Sequence, residues 1–198
     1  IVLPDYPFQP SLKTIDAAEE LLPAVKEAGF QAFFVPQSKE GMLDDWIDGY
    51  TWASKNPDID IIGMSILGIP NALPNVNFAY ARVVMSQILI ERNLFNFDKH
   101  HHYLGLNSGP ALEIPSLLKM KALDTIDSSG PLWAGVLGHE YTKEADSYQL
   151  VKKLKMPVDF GIAKTKDKET LARIQHNINM TNGLFNDKEV KQSWYAEE

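Results

Sequence analysis

Two aspartates three residues apart, Asp124 and Asp127 in "ALDTIDSSGP", close an apolar run and lead into two serines, a glycine and a proline. A carboxylate in such a place can cap a turn, hold a cation, or act as a nucleophile or general base. The same arrangement recurs along the chain. Ile1–Leu3 leads into "PDYP" with Asp5, Ala32–Val35 into "PQSKEG" with Gln37, Ile59–Met64 into "SILGIPNA" with Gly68, and Tyr103–Leu106 into "NSGP" with Asn107. Carboxylate, amide, glycine backbone, amide and carboxylate together suit a flat polar ligand with several donors and acceptors, such as a purine-like base. Taken singly each has a plainer reading: Asp5 as an Asx turn before Tyr6-Pro7, Gln37 as a loop residue, Gly63 and Gly68 as turn formers, Asp127 as a turn cap. Their shared position is what argues for a site.

That position has meaning if the runs are strands. Short apolar runs alternating with longer segments of helical period are the mark of parallel βα units, whose chemistry gathers past the carboxyl ends of the strands. The spacing predicts helices over Ser11–Ala28, Met42–Ser54, Phe78–Arg92 and Pro110–Met120. Ser11 is the expected N-cap of the first and Gly29 its stop, while Pro23 and Pro115 are expected to kink or split their helices. A polar terminal helix is expected over Lys164–Asn186, laid on the outside. Five such units fit an open doubly wound sheet or most of an eight-fold barrel, and periodicity does not separate the two. No glycine-rich phosphate loop follows any run, which weakens a nucleotide-binding doubly wound sheet.

The triplet His100–His102 has the look of a metal cluster, but adjacent residues on an extended chain point to opposite faces. The triplet is expected to precede its strand, at the end of the fold away from the site, and no metal is assigned to it. Trp46 and Trp52 read as core or interface residues.

Composition sets the frame. The 198 residues are about one large domain, with 44% hydrophobic residues to build a core. Cysteine is absent, which excludes disulfides, thiolate zinc sites and iron–sulfur clusters. The net charge of -7 argues against a broad nucleic-acid surface, although "LVKKLKMP" and "GIAKTKDK" gather lysines between Lys152 and Lys168. No apolar run approaches a membrane span, so a soluble, cytoplasmic chain is expected. The start "IVLPDYPF" suggests that sequence precedes residue 1.

Three stretches resemble one family. "HHYLGLNSGPALEIPSLLKMKALDTIDSSGP" is similar to the tRNA-guanine (queuine) transglycosylase segment in which a "HYLMGVG" strand and a short helix lead to "GVDMFDCVLPTR". "FFVPQSKEGMLDDWIDGYTWASKNPDIDIIGMSILGIP" resembles the preceding strand–helix–strand, and "VLPDYPFQP" an earlier one. "LDTIDSS" is also similar to the DpdA-type 7-deazaguanine DNA transglycosylases of phages and bacteria. The resemblance runs from Leu3 to about Pro131.

It implies an α/β TIM barrel, represented by about its last five βα units in residues 1–163, with a helical extension over 164–198. It implies base exchange at guanine, with Asp127 as the nucleophile, Asp5 and Gln37 as base-binding side chains, and Gly63, Met64 and Gly68 as the glycine-rich strand end whose backbone meets the base. Asp124, an odd step before Asp127, faces the other way as a supporting carboxylate, though the alignment of "LDTIDSS" could exchange the two. The family's zinc cluster cannot form without cysteine, the "PTR" after the nucleophile is missing, and no cofactor is implied. The acid/base aspartate of the family would lie before residue 1. The implied partners are a nucleic acid, DNA or tRNA, and a 7-deazaguanine base such as preQ0. The acidic balance leaves the polynucleotide to Lys152–Lys168, to the preceding sequence, or to a second chain, as a homodimer or a different partner. Two rivals remain: another TIM-barrel enzyme acting on a small anionic substrate, and a non-catalytic binding protein.

Overall fold

Parallel strands that follow one another in chain order, joined by right-handed crossovers, put every connecting helix on the same face of the sheet. This protein has such a parallel sheet, with its strands in chain order. The computed structural model describes residues 1–106, 110–148 and 167–185. Asn107, the lysine-rich stretch before Asp167, the expected boundary at residue 163 and the ends of the expected terminal helix lie outside the described residues. The chain divides into two compact units, the first Ile1–Asn107 with Leu117–Asp127, the second Ser108–Ser116 with the chain from Ser128.

The first unit carries, in order, α1 (Ser11–Glu27), β1 (Phe33–Phe34), α2 (Leu43–Lys55), β2 (Ile61–Gly63), α3 (Gly68–Ala72), α4 (Ala81–Glu91), β3 (His100–Tyr103) and β4 (Thr125–Ile126). The helix before β4, α5 (Pro110–Lys119), is divided between the units. The sheet is parallel with strand order β1-β2-β3-β4. Val2 adds a parallel bridge to Phe33, where the Leu3 N–H donates to the Phe33 carbonyl at 2.8 Å. The run Ile1–Leu3 is therefore the start of a fifth parallel rung, and the order contains no reversal.

Alternation along the strands explains the burial. Phe34, Ile62, His101 and Tyr103 are buried, and α2 and α4 cover them: Trp52 packs on Phe34 at 4.9 Å, Tyr50 stacks on His101 at 5.8 Å, and Ser86 shares a 2.7 Å hydrogen bond with the Tyr103 hydroxyl. Each buried Phe or Ile contributes about 1.5–3 kcal/mol. On the other face Phe33, Ile61 and His102 are half-buried, and His100 and Thr125 are exposed.

The structure corrects several expectations. The third strand is His100–Tyr103, not Tyr103–Leu106. His101 and Tyr103 supply its covered face, and Gly105 at φ 73° turns the chain out of extended backbone. Neither proline splits its helix: α1 runs through Pro23 and α5 through Pro115. In α1 the buried stripe Thr14, Ala18, Leu22 and Val25 outweighs the one backbone bond that Pro23 forfeits. Ser11 is not the N-cap but the first helical residue. Its N–H and hydroxyl both reach the Asp45 carboxylate on α2, the hydroxyl at 2.7 Å. Gly29 does stop the helix, at φ 76°, with the Gly29 N–H on Lys26 O and the Phe30 N–H on Val25 O.

In the second unit, α6 (Gly130–Val136) and α7 (Lys168–Gly183) pack closely. A Cβ on Gly135 would lie 2.8 Å from Ile174 Cα, so the glycine permits backbone contact. Asn177 is fully buried and satisfied, donating to His139 O at 2.8 Å and accepting from the Tyr141 N–H at 2.8 Å. Asp167 caps α7 by accepting from the Glu169 and Thr170 N–H groups. Within its unit the terminal helix is thus fastened through a buried stripe of Ile174, Asn177 and Thr181.

Candidate active site

The carboxyl ends of the strands carry two side-chain clusters. In the first, Gln37 follows β1 and is buried, with its Nε2 donating to Asp5 Oδ2 at 2.7 Å. Gly68 opens α3 beside them, where a Cβ would come within 2.9 Å of Gln37 Oε1. The Ser65 hydroxyl accepts from the Leu67 and Gly68 N–H groups at 3.2 and 3.0 Å and sets the turn between β2 and α3. Asp5, Gln37 and Gly68, far apart in sequence, are brought together.

Gly63 and Met64 lie beneath this cluster, inside the sheet. A Cβ on Gly63 would meet Phe33 Cε2 at 2.6 Å and Val35 Cγ2 at 2.9 Å, so its missing side chain makes room for neighbouring apolar groups. Met64 is buried, its N–H donates to His102 O at 2.8 Å, and its carbonyl accepts from the Leu104 N–H and the Arg82 guanidinium, both at 3.2 Å. Buried Arg82 also donates to Leu104 O at 3.0 Å, tying the ends of β2 and β3 together.

The second cluster surrounds Asp127. Its Oδ1 accepts from the Gly105 N–H at 2.9 Å and lies 3.1 Å from His102 Nε2, while the side chain is 59% exposed. Gly105 reaches it through the same positive-φ turn that ends β3, and a Cβ there would touch Ile66 Cγ2 at 3.1 Å. Asp124 sits at the other end of β4, where its Oδ2 accepts from the His101 N–H at 2.7 Å. The two aspartates flank the strand and share no surroundings.

The histidine triplet must be relocated. It does not precede its strand away from the site; it forms β3, and His102 stands against Asp127. The alternation of an extended chain divides the three. His100 and His102 face Thr125, each 2.8 Å from its hydroxyl, and the Phe33 and His102 rings meet edge-to-face with centroids 5.6 Å apart. His101 points the other way, 2.9 Å from the Tyr50 hydroxyl, and burial holds its pKa down to about 4. Sequence reasoning missed His102 and Thr125 as site residues. The signal was their period of two: His100 with His102, and Thr125 with Asp127, share faces once β3 is placed correctly.

Among the described residues no three His, Asp or Glu side chains gather so as to hold a metal ion, and no helix is long and apolar enough to cross a membrane. No family model, curated protein or solved structure matches the chain.

Proposed function

We propose that the chain is part of a TIM-barrel transglycosylase that exchanges guanine in nucleic acid for a 7-deazaguanine base through an ester on Asp127. The observation that carries this reading is the exposed Asp127 carboxylate, held through one oxygen at the same strand ends as the Asp5–Gln37 pair. The barrel part is supported by the strand order, since an eight-fold barrel follows chain order where a doubly wound sheet reverses.

The chemistry balances without a co-reactant. The carboxylate attacks the anomeric carbon; the bond to guanine breaks, and its electron pair passes to the departing ring nitrogen, which takes up a proton. The incoming base loses its ring N–H proton, attacks the same carbon and releases the carboxylate, so two inversions give retention. Asp5 retains Oδ1 for donors on the base edge, and Gln37 retains its second N–H for a ring carbonyl. A part-buried pair of this kind rejects analogues that leave it unmet. A guanine in duplex would have to be flipped out, or met in a single strand. Such a reaction belongs in the cytoplasm of a bacterial or phage-infected cell.

The test is incorporation of labelled guanine or 7-deazaguanine into tRNA and into DNA by the full-length protein. Incorporation that disappears in Asp127→Ala supports the reading, and undiminished incorporation in that variant removes it. One contact favours a second reading: the His102–Asp127 pair would also serve a barrel enzyme that uses general acid–base catalysis on a small anionic substrate. That enzyme would leave labelled base unincorporated in both nucleic acids.

A further inference from the structure

His100 and His102 stand two residues apart on β3, and Thr125 lies directly opposite His102 in the strand register. The Thr125 hydroxyl is 2.8 Å from His100 Nε2 and 2.8 Å from His102 Nδ1; His102 Nε2 is 3.1 Å from Asp127 Oδ1. A hydroxyl has one proton to give, a carboxylate only accepts, and a neutral imidazole carries one N–H. With neutral rings these rules leave one arrangement. His102 Nε2–H donates to Asp127, so its Nδ1 is bare and takes the Thr125 proton, and the Thr125 oxygen in turn accepts the His100 Nε2–H.

Both partners of the carboxylate fall on one oxygen. Oδ1 takes His102 and the Gly105 N–H, whereas Oδ2 has no hydrogen bond among the described residues. Two donors on one oxygen fix the plane of the carboxylate, since rotating it would break both bonds at once, and they leave the second oxygen unbonded among the described residues on a side chain that is 59% exposed.

We propose that the chain His100–Thr125–His102, with the Gly105 N–H, positions Asp127 by its Oδ1 and makes Oδ2 the attacking oxygen. The attack rests on the transglycosylase reading; the hydrogen-bond direction does not. His102 is a positioning residue, and its work is orientation of a reacting group, where a small misplacement lowers rate by about a hundredfold. Facing it are Phe33 from β1, Thr125 from β4, Asp127 just after β4, and His100 on its own strand. The Asp127 carboxylate is the anion among these neighbours.

Two measurements on the full-length protein test it separately. Long-range proton–nitrogen NMR with labelled histidine should find His102 as the Nε2–H tautomer in wild type, and Thr125→Val should shift its Nδ1 signal. A Nδ1–H tautomer, or an Nδ1 signal indifferent to Thr125→Val, overturns the chain. In the exchange assay His102→Ala should lower kcat about 10- to 100-fold with KM for nucleic acid little changed, and His102→Gln, which keeps a donor, should recover most of the loss. Wild-type kcat in His102→Ala overturns the positioning role. A wild-type protein that exchanges no base removes the transglycosylase reading, while the tautomer result still decides the hydrogen-bond chain.

Discussion

The two ends of the parallel sheet use their charges differently. At the amino end, each charge reaches the backbone of a neighbouring segment. The Asp60 carboxylate accepts from the Ala32 N–H at 2.7 Å and from Lys26 Nζ at 2.9 Å; Lys99 Nζ donates to the carbonyls of Asn56 and Ile59; Asp124 takes the His101 N–H. Burial pulls the Asp60 carboxyl up, but the Ala32 N–H and Lys26 together outweigh it and hold the group below the usual carboxylate range. At the carboxyl end, side chains meet one another, Gln37 on Asp5 and His102 on Asp127, and the Gly105 N–H adds one backbone donor to Asp127. A carboxylate that joins neighbouring segments holds strands in place, whereas an exposed carboxylate bonded through one oxygen keeps the other for a ligand. In parallel α/β folds the amino ends of the strands serve stability and the carboxyl ends carry the chemistry, and the proposed function assigns Asp127 and the Asp5–Gln37 pair to the latter.

The contrast can be broken most sharply at Asp127. Replacing it with Asn should lower base exchange by about a thousandfold or more, while the midpoint of chemical unfolding stays where it was; a variant that unfolds instead would make Asp127 a structural group like Asp60. The next largest effect belongs to His101, which burial keeps neutral. Its pKa is about 4 in the fold against roughly 6.5 unfolded, so above pH 6.5 it contributes no pH dependence. Between those values the unfolded chain binds a proton that the fold refuses, and stability falls as pH falls, by about 3 kcal/mol in all. Urea midpoints at pH 7 and pH 4.5 measure the drop, and the part due to His101 should vanish in His101→Gln.

At the amino end, Asp60→Ala should cost about 1–3 kcal/mol of stability by orphaning the Ala32 N–H, read by urea unfolding, with exchange per folded molecule unchanged. Gly68→Ala drives a Cβ toward Gln37 Oε1 and should raise the KM for the free base about tenfold while sparing kcat, since it disturbs recognition and leaves the nucleophile alone. The smallest effect is expected at Arg92–Asp44, an exposed pair 2.9 Å apart: Arg92→Ala should change stability by less than about 0.5 kcal/mol.

The strands were legible because their covered faces are apolar; Phe34, Ile62 and the neighbours of Val2 announce themselves whatever lies opposite. The strand-end positions of Asp5, Gln37 and Asp127 were legible for a different reason, since the end of a parallel strand is where polar residues gather. β3 was misplaced because three histidines do not look like a strand until His101 is seen against Tyr50 and Phe95, which are 51 and 6 positions away. The helices α3 and α6, 5 and 7 residues long, are too short to show a period. Gly63 could be read as a turn or as backbone for a ligand; Phe33, Val35 and Leu104 close over its Cα, and no local pattern foretells such neighbours.

The tie between Ser11 and Asp45 bears on how the chain folds. α1 has no local cap for its first turn, and the group that fills that need sits 34 residues downstream on α2. A short helix gains little by forming alone, so α1 is completed by docking: its first turn should exchange amide hydrogen with the α1–α2 pair as one unit, and a peptide cut before Asp45 should fray at Ser11.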